Sequence, residues 1–105
     1  MNSLVRIRFS DCVCDPGSPG RPIAHKAEVV DYLRSGKLGA MCAGWMKDRF
    51  TGELVRGCYD HGRSDGSYKW GESLAYYLDK YNLELPADFL AHIYAKLEEN
   101  APEGA

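Results

Sequence analysis

The sequence predicts an α+β domain in which helices cover one face of a small antiparallel sheet of about four strands. Three observations predict this fold class. Apolar residues alternate with charged residues near the start, a glycine-containing turn separates two extended runs in the middle, and two helical stripes follow in the last third. The order along the chain is then β-α-β-β-β-α-α. We expect a single domain over residues 1–98 and a frayed tail over 99–105.

The first strand is predicted from Val5 to Phe9, where the period of two gives one buried and one solvated face. We expect this strand to continue through Cys12 and Cys14. Residues 15–22 hold three prolines and two glycines, a composition typical of a loop.

The first helix is predicted over residues 24–35, where Ala27, Val30 and Leu33 follow helical spacing. Gly36 comes next and suits a left-handed cap.

A β-hairpin is predicted in the middle of the chain. Extended runs over 38–47 and 53–59 flank a turn that contains Gly52, which suits a positive φ. Residues 58–66 are expected to form an exposed connection. Tyr68 and Trp70 then alternate on a short strand.

The last third predicts two helices. Four apolar or aromatic residues occupy positions i, i+3, i+4 and i+7 of a helix over about 72–81, and Asn82 suits its left-handed cap. Pro86 starts the last helix, where its missing N–H costs nothing. The buried face of that helix is expected to consist of Phe89, Leu90, Ile93 and Leu97.

Composition excludes several classes of protein. The 105 residues contain no apolar run near the roughly 18 residues that a membrane span requires. The start of the chain lacks the apolar block of a signal peptide, so we expect a cytoplasmic protein without a membrane partner. The net charge of −2 gives no general attraction to nucleic acid. No motif indicates a cofactor.

The four cysteines are expected to be reduced thiols because no secretory signal is present. Cys12-Val-Cys14 and Cys58-Tyr-Asp-His61 resemble halves of a zinc site, but structural zinc usually uses two tight pairs on turns. Cys42 stands alone in a predicted strand. We therefore expect no metal, and keep as the alternative a zinc-binding or thiol-reactive protein that uses Cys12, Cys14, Cys42, Cys58 and His61.

The predicted connection after the hairpin carries the best candidates for binding a partner. Aromatic residues and arginine are the types that anchor protein interfaces, and loops on a rigid scaffold often bind. Acids of the last helix could steer a basic partner. The candidate partner-binding residues are Tyr59, Asp60, His61, Arg63, Tyr76, Glu98 and Glu99. No residue set indicates catalysis.

A longer pattern begins at Ser64-Asp-Gly-Ser-Tyr-Lys-Trp70 and continues through Leu74-Ala-Tyr-Tyr77, Lys80-Tyr81 and Leu85-Pro86 to Phe89. It resembles a group of small bacterial proteins of uncharacterised function with a (Ser/Thr)-Asp-Gly-x-(Tyr/Trp)-x-Trp stretch and a Leu-Pro-x-x-Phe ending. The resemblance covers about residues 24–95. It implies the same fold and an association with toxin-immunity or conflict-system genes, and it carries over no catalytic residue.

The sequence as a whole predicts a non-enzymatic binding protein of the inhibitor or immunity type, which blocks a functional surface of a partner protein. The partner would be a toxin, or a component of a bacterial defence system if the protein is a phage anti-defence factor such as an anti-CRISPR. A monomer or a homodimer would serve, because a small sheet leaves edges that can pair. A polyanion binder that uses Arg6 and Arg8 is a further alternative, with nucleic acid disfavoured by the net charge.

Overall fold

The protein has an α+β architecture in a computed structural model that describes residues 3–100. Four short strands and three helices follow the predicted order, although two strands lie elsewhere than expected. The elements are β1 (Val5–Ile7), α1 (Lys26–Ser35), β2 (Lys37–Leu38), β3 (Gly62–Ser64), β4 (Tyr68–Gly71), α2 (Ser73–Tyr81) and α3 (Ala87–Glu99).

The four strands form one sheet in the order β1-β4-β3-β2. The sheet is mixed, whereas the sequence predicted an antiparallel one. β2 and β4 run antiparallel to β3, but β1 runs parallel to β4, with Val5 opposite Tyr68. A parallel pair needs a long crossover connection, and the chain between β1 and β4 supplies it because it contains α1.

The predicted hairpin of 38–47 and 53–59 is wrong in extent. It is reduced to an isolated bridge between Lys47 and Leu54. Gly44 has a φ of 80°, in the left-handed region, so the first run cannot stay extended. This part of the chain is therefore mostly irregular.

The strand that the sequence missed is β3, which lies inside the predicted exposed connection 58–66. It forms the hairpin with β4, and the turn between them contains Gly66 at a φ of 95°. Leu38 of β2 pairs with Arg63 on the other side of β3. Part of the predicted connection is therefore an interior strand of the sheet, with β4 on one side and β2 on the other.

Beyond β1 the chain does not continue as a strand through residues 10–14, contrary to the prediction. One turn of 3₁₀ helix follows, because the carboxylate of Asp11 accepts a hydrogen bond from the N–H of Arg8 at 2.8 Å. Val13 then forms an isolated bridge with Glu84. Cys12 and Cys14, expected on a strand, lie on this irregular segment.

The three predicted helices are confirmed, and Asn82 closes α2 in the left-handed region with a φ of 53°. Gly36 is different, since its φ of −61° is not left-handed. A Cβ at Gly36 would lie 2.9 Å from the carbonyl oxygen of Ser64 and 3.0 Å from the ring of Trp70. Glycine is needed there for close approach of α1 to the sheet.

The core lies between the helices and the face of the sheet that carries Trp70. The indole Nε1 of Trp70 donates a hydrogen bond to the carbonyl oxygen of Leu33 at 2.8 Å, which fixes α1 on β4. The ring of Phe89 packs 5.3 Å from the indole and brings in α3. Both aromatic side chains are buried.

A second contact between helices and sheet centres on the Asp65 carboxylate, which starts the turn between β3 and β4. Its Oδ1 accepts hydrogen bonds from the N–H groups of Ser67 and Tyr68 at 3.0 and 2.8 Å. Its Oδ2 accepts one from the hydroxyl of Tyr32 on α1 and lies 2.7 Å from Nε2 of His92 on α3. One side chain thus joins the hairpin to two helices.

The helix α3 includes Glu99, so the tail that the sequence predicts over 99–105 is still helical at its first residue. Residues 101–105 lie outside the described part of the chain. Among residues 3–100, no helix has the length and apolar character that crossing a membrane requires.

The Asp65 contacts predict a specific pH dependence of stability. Burial opposes the charge on Asp65, but its hydrogen bonds lower its pKa to about 2. The unfolded value is about 3.9, so the carboxylate stabilises the fold above that pH, and this contribution is lost as the pH falls toward 2. We expect Asp65→Asn to lower the free energy of unfolding by about 1–2 kcal/mol at neutral pH.

The free energy of unfolding of the same variant should also fall less than that of the wild type as the pH is lowered from about 7 to about 2, measured by urea unfolding. We call this part of the stability curve the acid limb. Asp31→Asn is the matched control, because Asp31 is an exposed aspartate on α1. Identical acid limbs for Asp65→Asn and the wild type would contradict the assignment.

Candidate functional site

Asp48 is the only buried charged side chain among residues 3–100, with 1% of its surface exposed. It begins the turn that ends at Gly52. Its Oδ1 accepts hydrogen bonds from the N–H groups of Phe50 and Thr51 at 2.8 and 3.2 Å. Gly52 has the predicted positive φ, at 74°. The side chain therefore organises the turn from inside.

The other oxygen of Asp48 holds the turn against α2. Oδ2 accepts hydrogen bonds from the hydroxyls of Tyr76 and Tyr81, both at 2.6 Å. The hydroxyl of Tyr77 accepts one from the N–H of Arg49 at 3.0 Å. All three tyrosines of α2 thus bind the segment at residues 47–49.

These contacts fix the protonation states of the cluster. Burial opposes the charge on Asp48, but the hydrogen bonds that it accepts hold its pKa well below the ordinary value. The hydrogen bond to Asp48, followed by burial, raises the pKa of Tyr81 to about 12. Burial, followed by the same carboxylate, raises the pKa of Tyr76. These shifts favour a charged Asp48 and neutral Tyr76 and Tyr81 near neutral pH, which are the states that the hydrogen bonds between them require.

A cleft of about 550 Å³ opens beside this cluster. Arg34, Leu38 and Met46 form part of its wall. Four of the residues that the sequence predicted to bind a partner also line it: Tyr59, His61, Arg63 and Tyr76. The structure therefore brings these four candidates to one place.

His61 and Tyr59 form a stacked pair at the cleft, with ring centroids 4.8 Å apart and planes inclined by 8°. Nδ1 of His61 accepts a hydrogen bond from the N–H of Cys42 at 3.0 Å. The neutral imidazole then carries its proton on Nε2. The ring is therefore oriented by the irregular segment and presents a defined donor.

Arg63 and Asp60 are engaged in internal contacts. Arg63 lies 2.7 Å from Glu72 and donates a second hydrogen bond to the carbonyl oxygen of Gly36 at 2.9 Å. Oδ1 of Asp60 accepts a hydrogen bond from the N–H of Ser73 at 3.2 Å, at the start of α2. Arg63 is therefore paired with Glu72 in the wall of the cleft, whereas Asp60 is exposed and is not among the residues that line it.

Large apolar side chains are exposed along the irregular middle segment. Of the eight large hydrophobic residues that are exposed within residues 3–100, six lie between residues 38 and 59. Met41 is 70% exposed and Leu54 is 53% exposed. We call residues 38–61 the apolar segment; its exposed members are Leu38, Met41, Trp45, Phe50, Leu54 and Tyr59.

Sequence reasoning selected Tyr59 as a binding candidate, but it did not single out Asp48, Met41 or Leu54. A signal for Asp48 was present. Three tyrosines on one short amphipathic helix need hydrogen-bond partners when they are buried. A turn aspartate is a natural acceptor for them.

Glu98 and Glu99 are not brought to the cleft. Glu98 lines a separate hollow with His25, Glu28 and Tyr94. Glu99 lies 3.6 Å from Lys96 within α3. These two candidates therefore belong to another part of the surface.

The surroundings of the apolar segment are cationic. Residues 34–63 hold six lysines and arginines against three acidic residues, and one of the six, Arg63, is paired with Glu72. Arg56 lies over the ring of Trp45, 5.7 Å from its centroid. A surface with aromatic, methionine and arginine side chains has the composition of protein interfaces.

The structure does not bring the four cysteines and His61 together. Among the described residues, no group of three or more potential ligands from His, Cys, Asp and Glu lies together. All four thiols are unpaired. No structural observation therefore favours the zinc-binding alternative.

Comparisons with protein-family models, curated proteins and solved structures found no match. The resemblance to small bacterial proteins stays a prediction from the motifs.

Removing the Asp48 carboxylate should destabilise the fold. In Asp48→Ala the hydroxyls of Tyr76 and Tyr81 and two backbone N–H groups lose their acceptor. We expect the free energy of unfolding to fall by about 3 kcal/mol, measured by urea unfolding at neutral pH. Asp79→Ala is the matched control, because Asp79 is an exposed aspartate on α2. Equal effects of the two substitutions would refute the structural role of Asp48.

The cysteines should differ in reactivity. Burial, with the charges of Asp11 and Cys14, raises the pKa of Cys12 to about 12, so only a minute fraction of this thiol is ionised near neutral pH. Cys42 is exposed. We expect iodoacetamide to alkylate Cys42 at least about tenfold faster than Cys12 at about pH 8, as measured by peptide mass spectrometry.

The control for this experiment is the urea-unfolded protein, in which both thiols should react at similar rates. Equal rates in the folded protein would show that Cys12 is not protected.

Proposed function

We propose that this protein is a non-enzymatic binding protein of the inhibitor or immunity type, which blocks a functional surface of a protein partner. The observation that carries the proposal is the concentration of exposed apolar side chains in residues 38–61. Exposed apolar patches beyond those of ordinary monomers mark interaction sites. The partner would be a toxin or a defence-system component, as the motif resemblance implies.

The geometry supports binding through a preformed surface. The apolar segment has few ladder hydrogen bonds of its own, but the contacts of Asp48 with Tyr76 and Tyr81 hold it on α2. A surface ordered before binding loses less conformational entropy on association. Tyr59 and His61, which are stacked at the cleft, would be the central anchors.

The charge around the surface favours an acidic partner. The cations of residues 34–63 outnumber the acids, and complementary charge increases the rate and specificity of association. This replaces steering of a basic partner by Glu98 and Glu99, which lie outside the proposed surface. Unpaired cysteines suit a reducing compartment, so we propose action in the cytoplasm.

Two exposed side chains provide a matched test of this surface. Leu54 and Val13 are each exposed and each belong to an isolated β-bridge, but only Leu54 lies in the apolar segment. We expect Leu54→Glu and Tyr59→Ala to weaken binding to the partner at least about tenfold, because interface anchors carry much of the binding energy. Val13→Glu should bind like the wild type.

The measurement starts with affinity capture from the native cells, followed by titration of the purified partner with each variant. An inhibitor should also abolish the activity of that partner. Equal binding by Leu54→Glu and Val13→Glu would disprove the choice of surface. Turnover of a substrate by the pure protein, with no partner recovered, would disprove the functional class.

A further inference from the structure

The strand register places a row of cations across the sheet. Arg6 of β1 is opposite Lys69 of β4, Lys69 is opposite Ser64 of β3, and Ser64 is opposite Lys37 of β2. Directly opposed residues point to the same face of a sheet. Lys69 precedes Trp70, which faces the helices, so this row lies on the opposite face.

We call these four residues the row: Arg6, Lys69, Ser64 and Lys37. Its three cations are exposed and form no ion pair within residues 3–100. Arg6, Lys69 and Lys37 are all exposed. No carboxylate within residues 3–100 lies within 4.0 Å of any of them. With strands about 4.8 Å apart, the row extends over about 14 Å. A protein of net charge −2 thus places three cations in one line, none of them in an ion pair with a carboxylate of residues 3–100.

Beside the row lies a shallow hollow of about 330 Å³, bordered by Arg6 and Lys69. Its other lining residues are four small ones, Gly39, Ala40, Gly62 and Gly71, together with Leu4, Arg63, Ser64 and Trp70. There is little free space at the strands themselves, because the Asp60 carboxylate lies against Gly71 and the backbone of Ala40 lies against Gly62. What this face offers a partner is the positive charge of its three exposed cations.

We propose that the row binds a carboxylate-rich segment of the same protein partner, an inference that rests on the proposed function. The position of β2 supports a shared partner. Leu38 lines the cleft and belongs to the apolar segment, whereas the preceding residue, Lys37, belongs to the row. Since β2 is an edge strand, a partner that covers Leu38 reaches the row by crossing this edge.

The composition of the face favours carboxylates over nucleic acid. Sheets that bind single-stranded nucleic acid present exposed aromatic rings on which bases stack. The row and the residues that line its hollow offer cations, a serine, glycines, an alanine and Leu4, and the indole of Trp70 is 3% exposed. The exposed aromatic rings Trp45, Phe50 and Tyr59 lie in the apolar segment.

The experiment compares two double variants with the same net charge. Arg6→Ala/Lys69→Ala removes two cations of the row, and Arg21→Ala/Lys96→Ala removes two cations elsewhere. The probes are a fluorescent oligoglutamate peptide and an oligothymidylate, each of about twelve units, titrated at about 20 mM and about 200 mM salt. Fluorescence anisotropy gives the dissociation constants, and thermal unfolding followed by circular dichroism verifies that each variant folds.

We expect the wild type to bind oligoglutamate at low salt, the row variant to bind it about tenfold more weakly, and the control variant to match the wild type. Equal weakening in both double variants would overturn the proposal, because net charge alone would then explain binding. Tighter binding of oligothymidylate that depends on the row would also overturn it, in favour of nucleic acid. Absence of oligoglutamate binding at low salt would overturn it as well.

Tyr59→Ala separates this proposal from the proposed function. It should leave oligoglutamate binding unchanged while it weakens binding of the protein partner. If Tyr59→Ala weakens partner binding but the row variant binds oligoglutamate like the wild type, the docking surface stands and the role of the row is refuted. If oligoglutamate binding depends on the row but Tyr59→Ala binds the protein partner like the wild type, the proposed function fails instead.

Discussion

One buried carboxylate, that of Asp48, determines the conformation of the middle of the chain. Residues 39–61 contain no strand of the sheet and have only scattered backbone hydrogen bonds, such as those from Val55 to Met46 and from Met46 to Cys58, both at 2.8 Å. Hydrogen bonds that converge on Asp48 from the turn and from α2 hold this segment against the helix. A buried carboxylate is tolerated only when its acceptor sites are satisfied, and here each oxygen accepts two hydrogen bonds. The cleft and the apolar segment both take their shape from this arrangement.

The turn between β3 and β4 uses the same arrangement of groups. Asp65, like Asp48, begins its turn and directs one oxygen to backbone N–H groups and the other to side chains on helices. Apolar contacts alone allow helices to slide over a sheet, whereas directed hydrogen bonds specify one arrangement. The two aspartates therefore fix the position of the helices relative to the turns, while the core around Trp70 and Phe89 provides most of the apolar burial.

The sequence predicted local features well and distant pairings poorly. The helices were predictable because their apolar periodicity is contained within each segment, and Asn82 was predictable as a cap. The parallel pairing of β1 and the role of Gly36 depend on contacts far along the chain. The missing hairpin has a similar cause, because small apolar residues suit an extended run until Gly44 requires a left-handed conformation. At the candidate site, aromatic and loop residues were found by type, whereas the partners of Asp48 required the packing of α2.

The parallel pairing of β1 has a kinetic consequence. Val5 is opposite Tyr68, so ribosomes make α1, β2 and β3 before the neighbour of β1 exists. At about 5–20 residues per second, β1 waits on the order of several seconds during translation. Such a distant pairing also has a high loop-closure entropy, which slows its formation. We therefore expect β1 to join the sheet after the local β3–β4 hairpin has formed, so that Arg6 and Lys69 become neighbours only then.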